Sequence, residues 1–228
     1  MATKVQQIIN HCQSVVNDDL TKWPPEDWLS FVNLGQLLIA QIDNSATATT
    51  VALQLVAGVY QACPAGAIKF LGLTNNLGAN GTTPGAAIPL CDSEVLSAFN
   101  PSWMAATPAT SIENYMYDEN EPTKFRVSPP VHGSTAVHVG CRYAAAPTEC
   151  TDTASNIGIP DKFVPALVEF CLHKALSSET DASNPAIAGA HLSAFFNLMG
   201  VDERNRIKYS PNVQSRGGNP PREARAQQ

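Results

Sequence analysis

Charge is scarce in this chain: Asp, Glu, Lys and Arg make up only 15% of its 228 residues, against about a quarter in an ordinary folded protein. No apolar run approaches the roughly 20 residues of a membrane helix. No basic stretch followed by an apolar one opens the chain as a secretory leader would. The cysteines Cys12, Cys63, Cys91, Cys141, Cys150 and Cys171 are scattered and form no Cys-x-x-Cys pair. These absences predict a reducing, cytosolic setting with free buried thiols. A Cys141–Cys150 bridge is the one disulfide that the sequence leaves open.

The signatures of catalysis are missing as well. There is no Gly-Lys-Ser/Thr phosphate loop, Gly-x-Ser-x-Gly elbow, His-Glu-x-x-His helix or EF-hand loop. The glycines Gly78, Gly81 and Gly85 lack a lysine and a strand-to-helix context, so the stretch 74–87 reads as a surface loop. His132, His138 and Cys141, with Cys150 nearby, are the only metal-like group. On a strand, however, residues three apart such as His138 and Cys141 point to opposite faces. Asp118, Glu119 and Glu121 precede Pro122, and read as a turn between strands before they read as acid–base machinery. The expectation is no catalytic residue, no cofactor and no metal.

What the chain has is apolar content, 44% of residues, enough for one sizeable core. Many Ala, Thr, Asn and Pro residues beside few charges suit a surface that neighbouring subunits cover. The net charge of −6 is unevenly spread. Residues 1–203 carry −11, while 204–228 carry +5 through Arg204, Arg206, Lys208, Arg216, Arg222 and Arg225 against Glu223. An acidic body with a basic end is an interaction signature. The acidic body argues against a general grip on phosphates.

Val5, Ile8, Ile9, Cys12, Val15 and Val16 recur at helical spacing and predict a helix over 3–17. Pro24 and Pro25 suit the first turn of a second helix, with Glu26 and Asp27 at its positive end, running to about Gln41. A third helix is expected over about 49–61, stopped by Pro64 and Gly66. Strands are expected at 68–73, 111–117, 124–128 and 135–143, the last two forming a hairpin across Pro129, Pro130 and Gly133. Helices return at 161–178 and after Asn184 and Pro185. From Lys208 the chain is rich in Pro, Gly, Arg and Gln and reads as a tail. The expected fold is α+β: mainly a helical bundle, with helices over about 3–61 and 161–206, a β-rich insertion over about 67–145, and an extended C-terminal tail. The body is 1–207 and the arm 208–228.

Several stretches, taken in order, carry a resemblance. Asn17-Asp18-Asp19-Leu20-Thr21-Lys22-Trp23 leads to Glu26-Asp27-Trp28-Leu29 and Val32-Asn33-Leu34-Gly35-Gln36. Gly58-Val59-Tyr60-Gln61 runs into Cys63-Pro64-Ala65-Gly66-Ala67. Asn100-Pro101-Ser102-Trp103, Tyr117-Asp118, the run from Pro122 to Pro130, and Ile159-Pro160-Asp161 before Lys174-Ala175 complete the series. It resembles the head–tail connector, or adaptor, proteins of tailed double-stranded DNA bacteriophages, over about residues 5–200. Asp43-Asn44-Ser45 and Lys174 depart from the family's pattern, which has a basic residue with proline and an arginine there.

The resemblance implies a virion protein rather than an enzyme. It implies a ring of identical subunits, usually twelve, below the portal protein and above a downstream tail protein. Genomic DNA would pass through without sequence-specific contact, which an acidic wall favours. A C-terminal arm would dock on a partner, and Lys208, Tyr209, Arg216, Arg222 and Arg225 are its candidate binding residues. The alternatives are another neck or tail ring component, such as a terminator or tube protein, and a small cytosolic hydrolase. A DNA-binding accessory protein that uses the basic end is a further one.

Overall fold

The structure, a computed structural model, describes residues 3–18, 20–178 and 185–209, with side chains as far as residue 200. It combines helices with two small antiparallel sheets, the expected α+β class. The chain divides into two compact units. One comprises Met1–Gly35, Thr151–Asn156 and Asp161–Gln228, and the other Gln36–Cys150 and Ile157–Pro160.

The first unit is helical. Helix α1 (Val5–Val16) buries Val5, Ile8, Ile9 and Cys12, the stripe predicted from the spacing. Its first N–H groups would otherwise lack acceptors, and the 151–156 segment supplies them: Val5 N–H donates to Ser155 O (3.0 Å) and Gln6 N–H to Thr153 O (2.9 Å). Asn17 closes the helix in the left-handed region, a conformation that asparagine tolerates. Helix α2 (Pro25–Ile42) starts where the two prolines predicted. In its first half Trp28 and Val32 are fully buried. Trp28 meets Trp23 and Phe31 edge-on, each with ring centroids 5.9 Å apart.

The strands and one short helix belong to the second unit. Helix α4 (Val164–Ser177), in the first, buries Ala166, Leu167, Val168, Phe170, Cys171, Leu172 and Ala175. It packs against α1 and against α5 (Pro185–Tyr209). Phe170 lies 5.6 Å from Phe195 on α5. At Gly35 α2 lies close against α4, since a Cβ there would lie 2.5 Å from a Leu167 methyl and 2.8 Å from the Phe170 ring. The backbone of α5 stays helical to Tyr209, so the first two residues of the expected tail are helical.

In the second unit one sheet has the order β1-β6-β3 and the other β2-β5-β4. The strands are β1 (Ala48–Gln54), β2 (Gly58–Ala62), β3 (Ala67–Asn76), β4 (Asn114–Met116), β5 (Lys124–Val131) and β6 (His138–Ala145). Helix α3 (Ser93–Phe99) lies between β3 and β4 in the chain. The core joins Phe70, Leu73, Ile112, Phe125, Val127, Val139 and Cys141. Phe70 of β3 stacks on Phe125 of β5 at 4.5 Å, so side chains from both sheets meet there.

Three expectations are corrected. The helix expected over 49–61 is instead β1 and β2. Thr49, Thr50 and Val51 are β-branched and favour strand, and burial along β1 alternates with period two. Gly58, at φ +100°, sits at the start of β2, which no helix interior could accommodate. The strand-rich region therefore begins at Ala48, not near residue 67. Second, β5 and β6 do not pair with each other: β5 pairs with β2 and β4, and β6 with β1 and β3. Prolines donate no ladder hydrogen bond, and pairing of β5 with β4 runs no further than Ser128, just before Pro129 and Pro130. The chain then crosses to the other sheet. Third, the loop expected over 74–87 is shorter, because Thr74, Asn75 and Asn76 still belong to β3.

Buried amides organise the second unit's turns. Asn76 is 6% exposed. Its Nδ2 donates to Ile112 O (2.8 Å) and Ala86 O (3.2 Å), while its Oδ1 accepts from Ile112 N–H (2.8 Å). Gln61 spans the β1–β2 turn: Oε1 accepts from Val56 N–H (2.8 Å), and Nε2 donates to Val56 O (2.7 Å) and Gly58 O (3.2 Å). Gln36 Oε1 accepts from Gly158 N–H (2.5 Å), and its Nε2 donates to Cys150 Sγ (3.4 Å).

Candidate interaction surfaces

The metal-like group read from the sequence, His132, His138, Cys141 and Cys150, does not come together. His132 Nδ1 faces Ser134, 3.3 Å from its N–H and 3.2 Å from its hydroxyl. The His138 ring lies against Gly81. Cys141 is fully buried, with its thiol hydrogen bonded to that of Cys63, and Cys150 meets Gln36. Among the described residues, no three His, Cys, Asp or Glu side chains come together as a metal would require. None of the six cysteines is joined in a disulfide. The neighbour of Cys141 is Cys63, not the Cys150 that the sequence suggested.

Asp118, Glu119 and Glu121 form the expected turn into β5. Asp118 Oδ1 accepts from the Asn120 N–H and from its Nδ2, both at 2.9 Å. These bonds, with a smaller contribution from the Arg126 charge, hold its carboxyl below the usual range. Lys124 Nζ pairs with Glu121 at 2.9 Å. The turn edges a cleft of about 580 Å³ lined by Tyr60, Leu90, Asp92, Glu94, Glu119 and Arg126 among others. Five carboxylates face two cations there, Lys124 and Arg126, so the cleft suits a basic or apolar partner better than an anion. The Arg126 guanidinium lies 5.4 Å from the centre of the Tyr60 ring.

The second unit shows large apolar side chains to solvent, and Tyr60 and Leu90 among them line this cleft. Phe99 is 86% exposed, Leu90 64%, Tyr60 63% and Val95 51%. Helix α3 buries none of its residues. Val95 and Phe99, four apart, share one of its faces, and Asp92 caps it by accepting from Glu94 N–H at 2.7 Å. Sequence reading missed this helix, although Asp92-Ser93-Glu94 before Val95, Leu96 and Phe99 is a legible start signal.

In the first unit Ile187, Phe196 and Leu198 of α5 are also exposed, as is Val15 of α1. His191 Nδ1 meets Glu169 Oε2 at 2.7 Å, joining α5 to α4. Of the candidate arm residues, Lys208 and Tyr209 stand at the end of α5, with only their backbone described. Arg216, Arg222 and Arg225 lie outside the described residues.

The residues that carried the family resemblance are mostly those that shape the turns and packing. Gly58, Gln61 and Gly66 set the β1–β2 turn and the step into β3, with Gly66 at φ +80°. Gly35 permits the contact of α2 with α4, and Gln36 joins the 157–160 segment. Trp103 is 2% exposed, its N–H donating to Asn100 O (3.1 Å) and its Nε1 to Ser97 Oγ (3.1 Å). Compared with known protein families, the chain matches the model described as SU10 adaptor protein over residues 3–216. No curated protein matches it.

Proposed function

Because the chain belongs to the SU10 adaptor protein family, we propose that it is a structural subunit of a bacteriophage neck, assembled as a ring below the portal. The ring joins head to tail and continues the DNA channel. Twelve copies, as implied by the resemblance, is the expected number. The family match carries this reading. Large exposed apolar side chains on both units support it, since a chain with so few charges needs neighbours to cover them.

In this reading residues 1–207 form the body and 208–228 the docking arm. Lys208, Tyr209, Arg216, Arg222 and Arg225 contact the portal or another neighbour. Arginine suits that task because its planar fork binds carboxylates through two hydrogen bonds. The chain carries no catalytic step, and DNA slides past it without specific contacts. Its place is the virion neck, after assembly in the bacterial cytoplasm.

The test is to mix the purified chain with portal rings and image them by negative-stain electron microscopy. A ring of added density on one face of the portal is expected. A chain that stays monomeric and leaves the portal unchanged overturns the proposal.

A further inference from the structure

Two pairs of thiols touch in this protein, one in each unit. Cys12 of α1 is hydrogen bonded to Cys171 of α4. Cys63 packs against the core cluster that holds Cys141, and the two thiols are hydrogen bonded. The pairs differ in access. Cys12 and Cys171 are both completely buried. Cys63 is only partly buried, in the connector just after β2, where its N–H donates to Thr123 O at 2.9 Å. Cys141 lies behind it in the centre of β6, between β1 and β3. An attacking thiol that a small molecule can reach, backed by a buried partner, is the arrangement of a thiol pair that oxidises in two steps.

We propose that Cys63 and Cys141 are an oxidisable pair that closes into a disulfide, with Cys63 attacking and Cys141 resolving, while Cys12 and Cys171 stay reduced. The oxidant is a low-molecular-weight disulfide such as oxidised glutathione. Cys63 gives up its proton, and its thiolate attacks one glutathione sulfur. The glutathione S–S bond breaks, a Cys63–glutathione disulfide forms, and the released glutathione thiolate takes a proton. Cys141 then loses its proton and attacks the Cys63 sulfur. The second glutathione leaves as a thiol, and the protein S–S bond is made. Two electrons pass from the two cysteines to one oxidised glutathione.

The local electrostatics order the steps. The hydrogen bond from Cys141 lowers the pKa of the Cys63 thiol, outweighing burial. The thiolate, not the thiol, is the nucleophile. The Cys141 thiol is held well above its usual value, first by that same hydrogen bond, then by burial and by the Cys63 charge. Once Cys63 is capped, its charge and its hold on the Cys141 proton are gone and burial alone remains, so Cys141 becomes easier to ionise when its turn comes.

The bridge would tie the connector after β2 to β6, and so join the two sheets of this unit. The chemistry holds whatever the chain's role. The neck reading adds only the occasion, the passage of a finished particle from a reducing cytoplasm to an oxidising exterior.

The test treats the folded full-length chain with oxidised glutathione, quenches with acid, and maps peptides by mass spectrometry without reduction. A linked pair of peptides containing Cys63 and Cys141 is expected, with Cys12 and Cys171 titrating as free thiols after unfolding. The Cys141→Ser variant should accumulate a lasting glutathione adduct on Cys63. The Cys63→Ser variant, altered at a partly exposed site, should keep Cys141 reduced. The bridged protein should need more denaturant to unfold than the reduced one. A stable glutathione adduct on Cys63 of the unaltered chain, an unreacted Cys63, or a Cys12–Cys171 bridge that forms first overturns the proposal. Because no portal is present, a failure here leaves the neck reading as it stood.

Discussion

Trp28 sits with no exposed surface between Trp23 and Phe31, and its removal leaves a hole that rigid helices fill poorly. Trp28→Ala should cost about 3–5 kcal/mol, read as a lower midpoint in urea unfolding. Gln61 differs in kind, since its side chain serves the backbone. Gln61→Ala removes the bonds to Val56 N–H and C=O, in an exposed turn residue that water can reach, at a cost of about 0.5–1.5 kcal/mol. Faster amide exchange at Val56 should accompany that loss and show that the turn is what opened. Gly35→Ala sets two effects against each other. Alanine gains about 1 kcal/mol of helix propensity over glycine, but a Cβ 2.5 Å from Leu167 and 2.8 Å from Phe170 overpacks a buried contact, at about 1–3 kcal/mol. Both neighbours are buried, so the clash should win and the thermal midpoint should fall.

At the scale of elements, α3 is set apart by what it does not bury. Its fold rests on the Asp92 cap and on Leu96, which packs on the small cluster of Val59, Trp103 and Met116. Val95 and Phe99 add little to the free subunit, so the double change to serine should alter unfolding free energy by no more than about 0.5 kcal/mol. The same variant should weaken assembly with the portal or with other copies, measured by sedimentation. Unchanged assembly would show that this face stays open. The β1–β2 segment carries a different lesson. Residues 49–61 hold apolar side chains that fit a helical period as well as a strand one, and β6 decided between them by offering β1 a ladder of seven paired residues.

The whole molecule is an acidic body ending in a basic segment, and the two halves of that charge pattern call for different experiments. Since α5 is described as helical to Tyr209, truncation after Tyr209 removes most of the proposed arm and keeps every described residue of the helix. The truncated chain should unfold at the same temperature as the full one yet no longer stay on the portal through washing at moderate salt. Retention with unchanged affinity and salt dependence would reduce the arm to a loose end. The acidic body, in turn, should leave the chain unretained on a DNA column at physiological salt, because phosphate binding needs clustered cations. Retention that falls steeply with salt would favour the DNA-binding alternative.

The sequence by itself determined the parts whose signals are local. The α1 stripe, the proline-led starts of α2 and α5, the turn at Asp118 and the mixed class all follow from spacing, capping and turn chemistry, which act over a few residues. The family was legible too, because its motifs keep their order along the chain. Only the tertiary structure decided what depends on distant partners. It paired β6 with β1 and β3 instead of with β5, turned 49–61 into strands, and put Cys141 beside Cys63 and Cys12 beside Cys171. It also showed why Gln36, Gln61 and Asn76 matter. An amide's worth depends on which backbone groups lie within reach once the chain has folded, and linear spacing holds no record of that.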